Sequence, residues 1–311
     1  MKAIILDGFG GVEHLIMTEL PTPVPAENDV LVQVKAISIN PVDVKTRAGK
    51  GASGRLKDEK PIILGWDISG IVTESKSPLF SIGDEVFGMV NFPGHGKAYA
   101  EYVVSPASHL GLKPASISHT EAAAASLAAL TAWQAIVSHA GVQAGQRVLV
   151  HAAAGGVGHF AVQIAKQLGA YVIGTSSAAN REFVLSLGAD EHIDYKAQTL
   201  AEATHAIDFV LDAIGGDTID ESLDVLKPGG TIISIPSGRN EAVKEKAEAK
   251  GANGYPIMVH SSGEDMKKLA DLLEKGTVKA HVSQTFAFDQ MGQAHLQIET
   301  GKTQGKIAVL P

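Results

Sequence analysis

The sequence predicts an α/β chain of two domains: a β-rich, barrel-like domain built from both chain ends, and a central domain with a doubly wound parallel sheet. Three observations carry this. Residues 1 to about 115 are short β-rich runs separated by Gly, Pro and Asp. From about residue 120 onward strands and helices alternate in βαβ order, which calls for a parallel sheet covered on both faces. One strand-to-helix turn, His151 to Gly158, is made almost wholly of alanine and glycine. At 311 residues, 45% hydrophobic, the chain can bury two cores.

In order along the chain, Met1–Gly8 has an apolar run, Ala3 to Leu6, that ends at Asp7-Gly8, so it reads as a first strand and not as a secretory signal. Val30–Ala36 and Ile68–Val72 follow as strands, and Ser81–Gly88 places a Gly83-Asp84 turn between apolar runs, a hairpin corner in which Asp84 is structural. An Ala- and Leu-rich helix is expected from Thr120, as N-cap, to about His139, and marks the domain boundary. Beyond it come strand Arg147–His151, helix Val157–Leu168, strand Ala170–Thr175, helix Arg181–Leu187, and strands Ala206–Ala213 and Thr231–Ile235. The mixed-sign run Arg239–Lys250 reads as a solvated helix or surface excursion. A strand at Tyr255–Val259 and a helix at Glu264–Lys275 lead to a tail that returns to the first domain. The expected domains are 1–120, 121–261 and a return over 262–311.

The formal charge of -8, from 26 basic and 34 acidic residues, gives no attraction to polyanions or anionic membranes, so neither nucleic acid nor a bilayer is an expected partner. The absence of cysteine excludes disulfides, thiolate metal sites and cysteine nucleophiles. No stretch approaches the roughly 20 apolar residues of a membrane helix. The expected location is the cytoplasm.

The turn between strand Arg147–His151 and the following helix has the context of a dinucleotide fingerprint, with Gly155, Gly156, Val157 and Gly158 at the helix start and Ala153 in place of the first glycine. Small residues let the backbone approach a pyrophosphate, and the helix N-terminus offers N–H groups and a positive dipole end. At the end of the second strand, where NAD sites carry a carboxylate, the chain has Thr175, Ser176, Ser177 and, four positions on, Arg181. Hydroxyls and a guanidinium suit a 2′-phosphate, so the expected cofactor is NADPH. The bland alternative for Arg181 is an exposed helix-start arginine. Strand ends around Ile214 and Ile235 should line the nicotinamide half.

The stretches Ile39-Asn40-Pro41-Val42-Asp43, Leu130-Thr131-Ala132-Trp133, His151 to Gly158, Leu187-Gly188-Ala189-Asp190, Lys227-Pro228-Gly229-Gly230 and Gly305-Lys306-Ile307 resemble the medium-chain dehydrogenase/reductases, in their zinc-free quinone oxidoreductase branch. The resemblance implies a GroES-like catalytic domain joined to a Rossmann domain, and a homodimer. It places Asn40 and Asp43 at the active cleft, Thr131 near the nicotinamide, Tyr195 near the adenosine phosphate and Lys306 in the cofactor site. Zinc-dependent members carry a Cys before the early Asp and a Gly-His-Glu farther on. Here Asn40-Pro41-Val42-Asp43 and Gly65-Trp66-Asp67 stand instead, and the 12 histidines show no ligand spacing, so no metal is expected.

The expected function is hydride transfer from NADPH to a quinone or other conjugated carbonyl. A ketone hydride acceptor develops alkoxide charge that a zinc ion would stabilise, whereas a conjugated acceptor is activated already. Asn40 and Thr131 are the candidate donors to the developing oxygen, with Asp43 and Tyr99 behind them; Asn40 could equally be a cap before Pro41. An enone or alkenal reductase uses the same cofactor site, and a sensor that binds NADPH with incidental turnover is the alternative from another class.

Overall fold

The computed structural model describes all 311 residues. The chain separates into two compact units, Met1–Leu130 with His260–Pro311, and Thr131–Val259.

The first unit holds two sheets. Strands β1 (Lys2–Leu6), β2 (Leu15–Glu19) and β4 (Ile62–Ile63) make a small antiparallel sheet in the order β2-β1-β4. The larger sheet contains β3 (Asp29–Ser38), β5 (Asp67–Ser75), β6 (Glu85–Met89), β7 (Tyr102–Pro106), β8 (Leu110–Leu112), β15 (Val282–Ala287) and β16 (Lys306–Leu310). It runs β15-β16-β3-β5-β6-β8 with β7 also on β3. The C-terminal return is therefore a matter of hydrogen bonding: Ala308 and Val309 of β16 pair with Ser38 and Ile37. The central strand β3 reads DVLVQVKAIS and is buried over most of its length, as a β-branched strand with neighbours on both sides should be. The turn at Gly83-Asp84 forms as expected, with Gly83 at φ +96° and Asp84 accepting from the Ser81 N–H at 2.8 Å. Helices α1 (Pro41–Arg47), α2 (Ser53–Leu56), α10 (Gly263–Glu274) and α11 (Met291–Glu299) complete the unit, with α3 (His119–Ala124) and the start of α4 (Leu127–Trp133).

The single helix expected over Thr120–His139 is broken twice. Its cap is Ser118, not Thr120: Ser118 Oγ accepts from the Glu121 N–H and the Glu121 carboxylate accepts from the Ser118 N–H, a capping box that outcompetes the later threonine. The first turns end at Ala124, α4 restarts at Leu127, and Gln134–His139 widens into a π-helix.

The second unit is a six-stranded parallel sheet of β9 (Arg147–Val150), β10 (Tyr171–Ser176), β11 (Glu191–Asp194), β12 (Ile207–Asp212), β13 (Leu226–Ser234) and β14 (Asn253–Pro256). Its order, β11-β10-β9-β12-β13-β14, is that of a doubly wound dinucleotide fold, with the strand order reversing at β9. Helices α5 (Gly156–Gln167), α6 (Arg181–Ser186), α7 (Leu200–Ala203), α8 (Asp217–Val225) and α9 (Val243–Ala249) join the strands. Leu149, Ile173, Ile193, Val210 and Ile232, one from each of five strands, share one core cluster. Val243 and Ala247 join the same cluster, so within the polar run Arg239–Lys250 the helix Val243–Ala249 is amphipathic, with its i, i+4 pair buried. The last strand is Asn253–Pro256 and not Tyr255–Val259; Pro256 cannot donate to a ladder and stands at its end.

Candidate active site

In the second unit the glycine-rich turn forms the uncapped start of α5. Gly155 is the N-cap with no side-chain hydrogen bond, so the first-turn N–H groups are left for an external acceptor. Ala152 takes φ +49°, the strained conformation that lets the chain reverse from β9 into the helix. A Cβ on Gly158 would sit 2.1 Å from Ala152 O and 2.7 Å from Ala153 Cα, so only glycine allows helix and turn to approach so closely. Ala153, in the place of the motif's first glycine, is buried and its N–H donates to Thr175 O at 2.9 Å.

The three hydroxyls after β10 have different surroundings. Thr175 is 2% exposed and its Oγ1 lies 3.1 Å from His151 Nδ1, on the inner side of the sheet. Ser176 Oγ is 2.7 Å from His192 Nε2, a partner that the sequence did not mark. Ser177 is half-buried, and Arg181 is exposed at the start of α6. Tyr195 is exposed, with Lys196 Nζ 5.8 Å from its ring centroid. No carboxylate occupies the end of β10, and an uncapped helix start beside hydroxyls and a guanidinium fits a phosphorylated dinucleotide.

Ile214 and Ile235 follow the carboxyl ends of β12 and β13, and one residue fixes both. Asp212 Oδ1 accepts from the N–H groups of Ile214 at 2.9 Å and Gly215 at 3.0 Å and from Thr218 Oγ1 at 3.1 Å, while Oδ2 accepts from Ser234 Oγ at 2.6 Å. The Ile235 N–H donates to Asp212 O. His151 is buried between Thr175 and Ser222 Oγ, 2.9 Å away, and burial pushes its imidazole below the ordinary range against the pull of Asp212.

The first unit buries a charged cluster. Lys306, 3% exposed, donates from Nζ to Ile39 O at 2.9 Å and to Asn40 Oδ1, and stands 3.8 Å from Asp67 Oδ2. Asn40 Nδ2 donates to Asp67 Oδ2 at 2.8 Å, and Asp67 Oδ1 accepts from the Leu127 N–H at 2.8 Å. An ammonium can only donate and a carboxylate only accept, so the Asn40 amide has one possible orientation and keeps one N–H uncommitted to Asp67. Lys306, placed in the cofactor site by sequence, is thus engaged with the chain's own Asn40 and Asp67.

Asp43 Oδ2 accepts from the Asn40 N–H at 2.6 Å, which caps α1 before Pro41, and the buried carboxyl also interacts with the Tyr99 hydroxyl. Burial pushes the Asp43 carboxyl up to about 8, with the Asp67 charge adding to the effect, and burial pushes Asp67 up to about 6 against the pull of Lys306. Tyr99 is fully buried with its hydroxyl 2.8 Å from His295 Nε2. Arg47 Nη1 faces His295 Nδ1 at 3.5 Å; a guanidinium only donates, so the ring's hydrogen is on Nε2 and points to Tyr99. Burial, then Arg47, holds His295 down at about 3. Thr131, in α4, belongs to the second unit and is 4% exposed. Trp66 is buried with its indole N–H on Gly94 O at 2.7 Å. The structure gathers no three His, Asp or Glu side chains that could hold a metal ion.

His192 is not marked in the sequence, while Asp67, in the stretch Gly65-Trp66-Asp67, and Asp212, at the strand end before Ile214, lie in marked segments but were given no role of their own. The position of Asp212, closing the strand Ile207–Asp212 just before Gly215-Gly216, was the available signal for one of them; the others are paired with residues that lie apart from them in sequence.

Residues 26–115 match the alcohol dehydrogenase GroES-like domain and residues 187–309 the zinc-binding dehydrogenase domain. The NADPH-dependent alkenal/one oxidoreductase of Arabidopsis thaliana chloroplasts is 33% identical over all of this chain and 80% of its own length. The quinone oxidoreductase of Coxiella burnetii superposes with a TM-score of 0.95 at 38% identity, covering 100% of this chain and 99% of the other. The Escherichia coli quinone oxidoreductase complexed with NADPH superposes at 0.89 with 30% identity, over 100% of both chains. Matched over its whole length by these relatives and structures, and in both units by family domains, the chain belongs to the medium-chain dehydrogenase/reductase superfamily, in the zinc-free quinone oxidoreductase branch.

Proposed function

We propose that this chain is an NADPH-dependent oxidoreductase that reduces a quinone or another conjugated carbonyl without zinc. The observation that carries the reading is the pairing of an uncapped, glycine-rich helix start with a β10 end that holds hydroxyls and Arg181 in place of a carboxylate. Bound there, NADPH supplies the hydride. Gly155, Gly156, Val157 and Gly158 would hold the pyrophosphate, Ser176, Ser177 and Arg181 the 2′-phosphate with Tyr195 close by, and the backbone about Ile214 and Ile235, fixed by Asp212, the nicotinamide half. Asn40 offers an oriented amide N–H to oxygen that gains charge, with Thr131 as second donor and Asp43 as the cap that holds Asn40 in place.

At the positions of the zinc ligands in zinc-dependent members, Asn40 and Trp66 are neutral and already hydrogen-bonded, a donor set that suits an acceptor activated by its own conjugation. The alkenal/one relative supports enones as a second acceptor class. The test is NADPH oxidation across quinones, enones, simple ketones and simple alcohols, before and after chelation. Turnover with a conjugated acceptor, untouched by the chelator, is expected. Tight binding with no turnover across the panel would make the chain a sensor, and activity lost with one removable zinc per chain would overturn the metal-free reading. The free edge at β14, with Tyr255 and Met258 exposed beside it, supports a homodimer through that strand, which a monomeric sedimentation profile would remove. The cysteine-free composition supports the cytoplasm as the site of action.

The Arg181 guanidinium makes no hydrogen bond or ion pair within the chain, its backbone N–H alone donating to Ala178 O, so its role toward the cofactor is separable from folding. Arg181→Ala should weaken NADPH binding by roughly 10- to 100-fold, the scale of a charge-assisted hydrogen bond, and leave NADH almost unchanged. Equal losses for both cofactors, measured by fluorescence titration, would move the 2′-phosphate elsewhere.

A further inference from the structure

His192 carries no motif, yet the parallel register of β10 and β11 sets Gly174 opposite His192 and Ser176 opposite Asp194, which brings the imidazole to the end of β10. There Ser176 Oγ lies 2.7 Å from His192 Nε2 and 3.1 Å from Ser177 O, so its single hydrogen has two possible acceptors. The charged groups acting on the ring are Arg181, from α6, and Asp194, from its own strand; β10 contributes hydroxyls alone. Burial first, and the Arg181 charge second, keep His192 below the ordinary histidine range, and Asp194 opposes them. Two side chains able to carry positive charge thus converge with Ser176 and Ser177 while Arg181 has no counter-ion of its own. An arriving dianion would relieve that repulsion.

We propose that His192 is a titrating member of the 2′-phosphate site, so that capture of NADPH is accompanied by uptake of a proton on this imidazole. The inference rests on the cofactor reading given above. In its doubly protonated form the ring can only donate, so Nε2–H points to Ser176 Oγ and the hydroxyl hydrogen is released toward the phosphate, giving a chain from His192 through Ser176 to the ligand. One proton moves from solvent to the imidazole, and no other bond changes. The sign follows from linkage. The ring of the free protein titrates below the usual range and a neighbouring dianion raises it, so binding tightens as pH falls between those two values. The phosphate's own second ionisation, near 6, opposes this at lower pH, so the window is about pH 8 to 6.5.

The experiment titrates the full chain with 2′,5′-ADP and with 5′-AMP at several pH values, in wild type, His192→Gln and His192→Asn. Glutamine and asparagine keep a side chain that can hydrogen-bond but cannot titrate. From pH 8 to 6.5 the wild-type dissociation constant for 2′,5′-ADP should fall about threefold or more, with a proton taken up in buffers of different ionisation enthalpy, while both variants stay nearly flat. 5′-AMP should show no such slope in any of them. The same slope in wild type and variants, or in 5′-AMP, would overturn the role of His192 and leave the phosphate site standing. Failure of 2′,5′-ADP to outbind 5′-AMP at every pH would remove the phosphate site and His192's role with it.

Discussion

Gly158→Ala should abolish tight NADPH binding and lower stability, while Gly155→Ala should do little of either. The two glycines are three residues apart in one turn, and sequence pattern treats them alike. Their surroundings differ. At Gly158 the added carbon meets Ala152 O at 2.1 Å, Ala153 Cα at 2.7 Å and Ala152 C at 2.8 Å, all backbone atoms with no rotamer to escape by. At Gly155 the nearest atom is Ala152 O at 3.2 Å, which a shift of a few tenths of an ångström accommodates. Relief at Gly158 requires moving the turn off the helix start, which displaces the N–H groups meant for the pyrophosphate and strains Ala152, already at φ +49°. Overpacking of this kind typically costs about 1–3 kcal/mol. NADPH affinity should fall by about 100-fold or more, the equivalent of two or three lost hydrogen bonds. Thermal melting separates the two effects, since added NADPH should raise the midpoint of wild type and Gly155→Ala but not of Gly158→Ala. Wild-type affinity in Gly158→Ala would show that the turn is not the pyrophosphate cradle.

How far the sequence reveals this protein depends on the distance over which each feature is encoded. The dinucleotide turn is local: β9, a five-residue turn of His151 and four small residues, and α5 are consecutive, so period and composition suffice. The parallel sheet is nearly as legible, because each βαβ unit repeats the same alternation. Thr120–His139 was not resolved, since alanine and leucine favour helix throughout, whereas the break before Leu127, whose N–H donates to Asp67, and the π-helical turn at Gln134–His139 carry no local sequence signal. Arg239–Lys250 is mostly charged and polar, and its buried face is two residues, Val243 and Ala247, too few for a periodic signal. The polar clusters were least legible. Lys306 is 266 residues from Asn40 and His192 is 16 from Ser176, separations fixed by sheet register that no spacing rule contains.

Lys306→Met should reduce turnover about as strongly as Asn40→Ala, although Lys306 is here a positioning residue behind the amide. The ammonium does two things: it fixes Asn40 Oδ1, which turns the amide N–H groups outward from it, and it offsets the buried charge of Asp67. Removing it frees the amide to rotate and leaves a buried carboxylate without its cation, a loss of about 3–5 kcal/mol when one partner of a buried pair is deleted. For Asn40→Ala, loss of one oriented donor to a developing oxyanion predicts a kcat lower by roughly 10- to 1000-fold, with NADPH affinity within about twofold. Lys306→Met should match that in kcat. A role confined to folding is distinguished by Lys306→Met/Asp67→Asn, which removes both charges; stability should return toward wild type while kcat stays low, because nothing then holds the amide oxygen. The pH dependence supplies a second readout. Asp67 and Asp43 are raised from 3.8 to about 6 and about 8, so the folded chain binds more protons than the unfolded one across that range and stability falls as pH rises through it. Without Lys306, Asp67 loses the charge that lowers it, so the fall in stability should extend to higher pH, whereas Asp43→Asn should flatten it. Full recovery of kcat in the double variant, or wild-type turnover in Asn40→Ala, would reduce the cluster to a structural support and leave the oxyanion donor to be sought at Thr131.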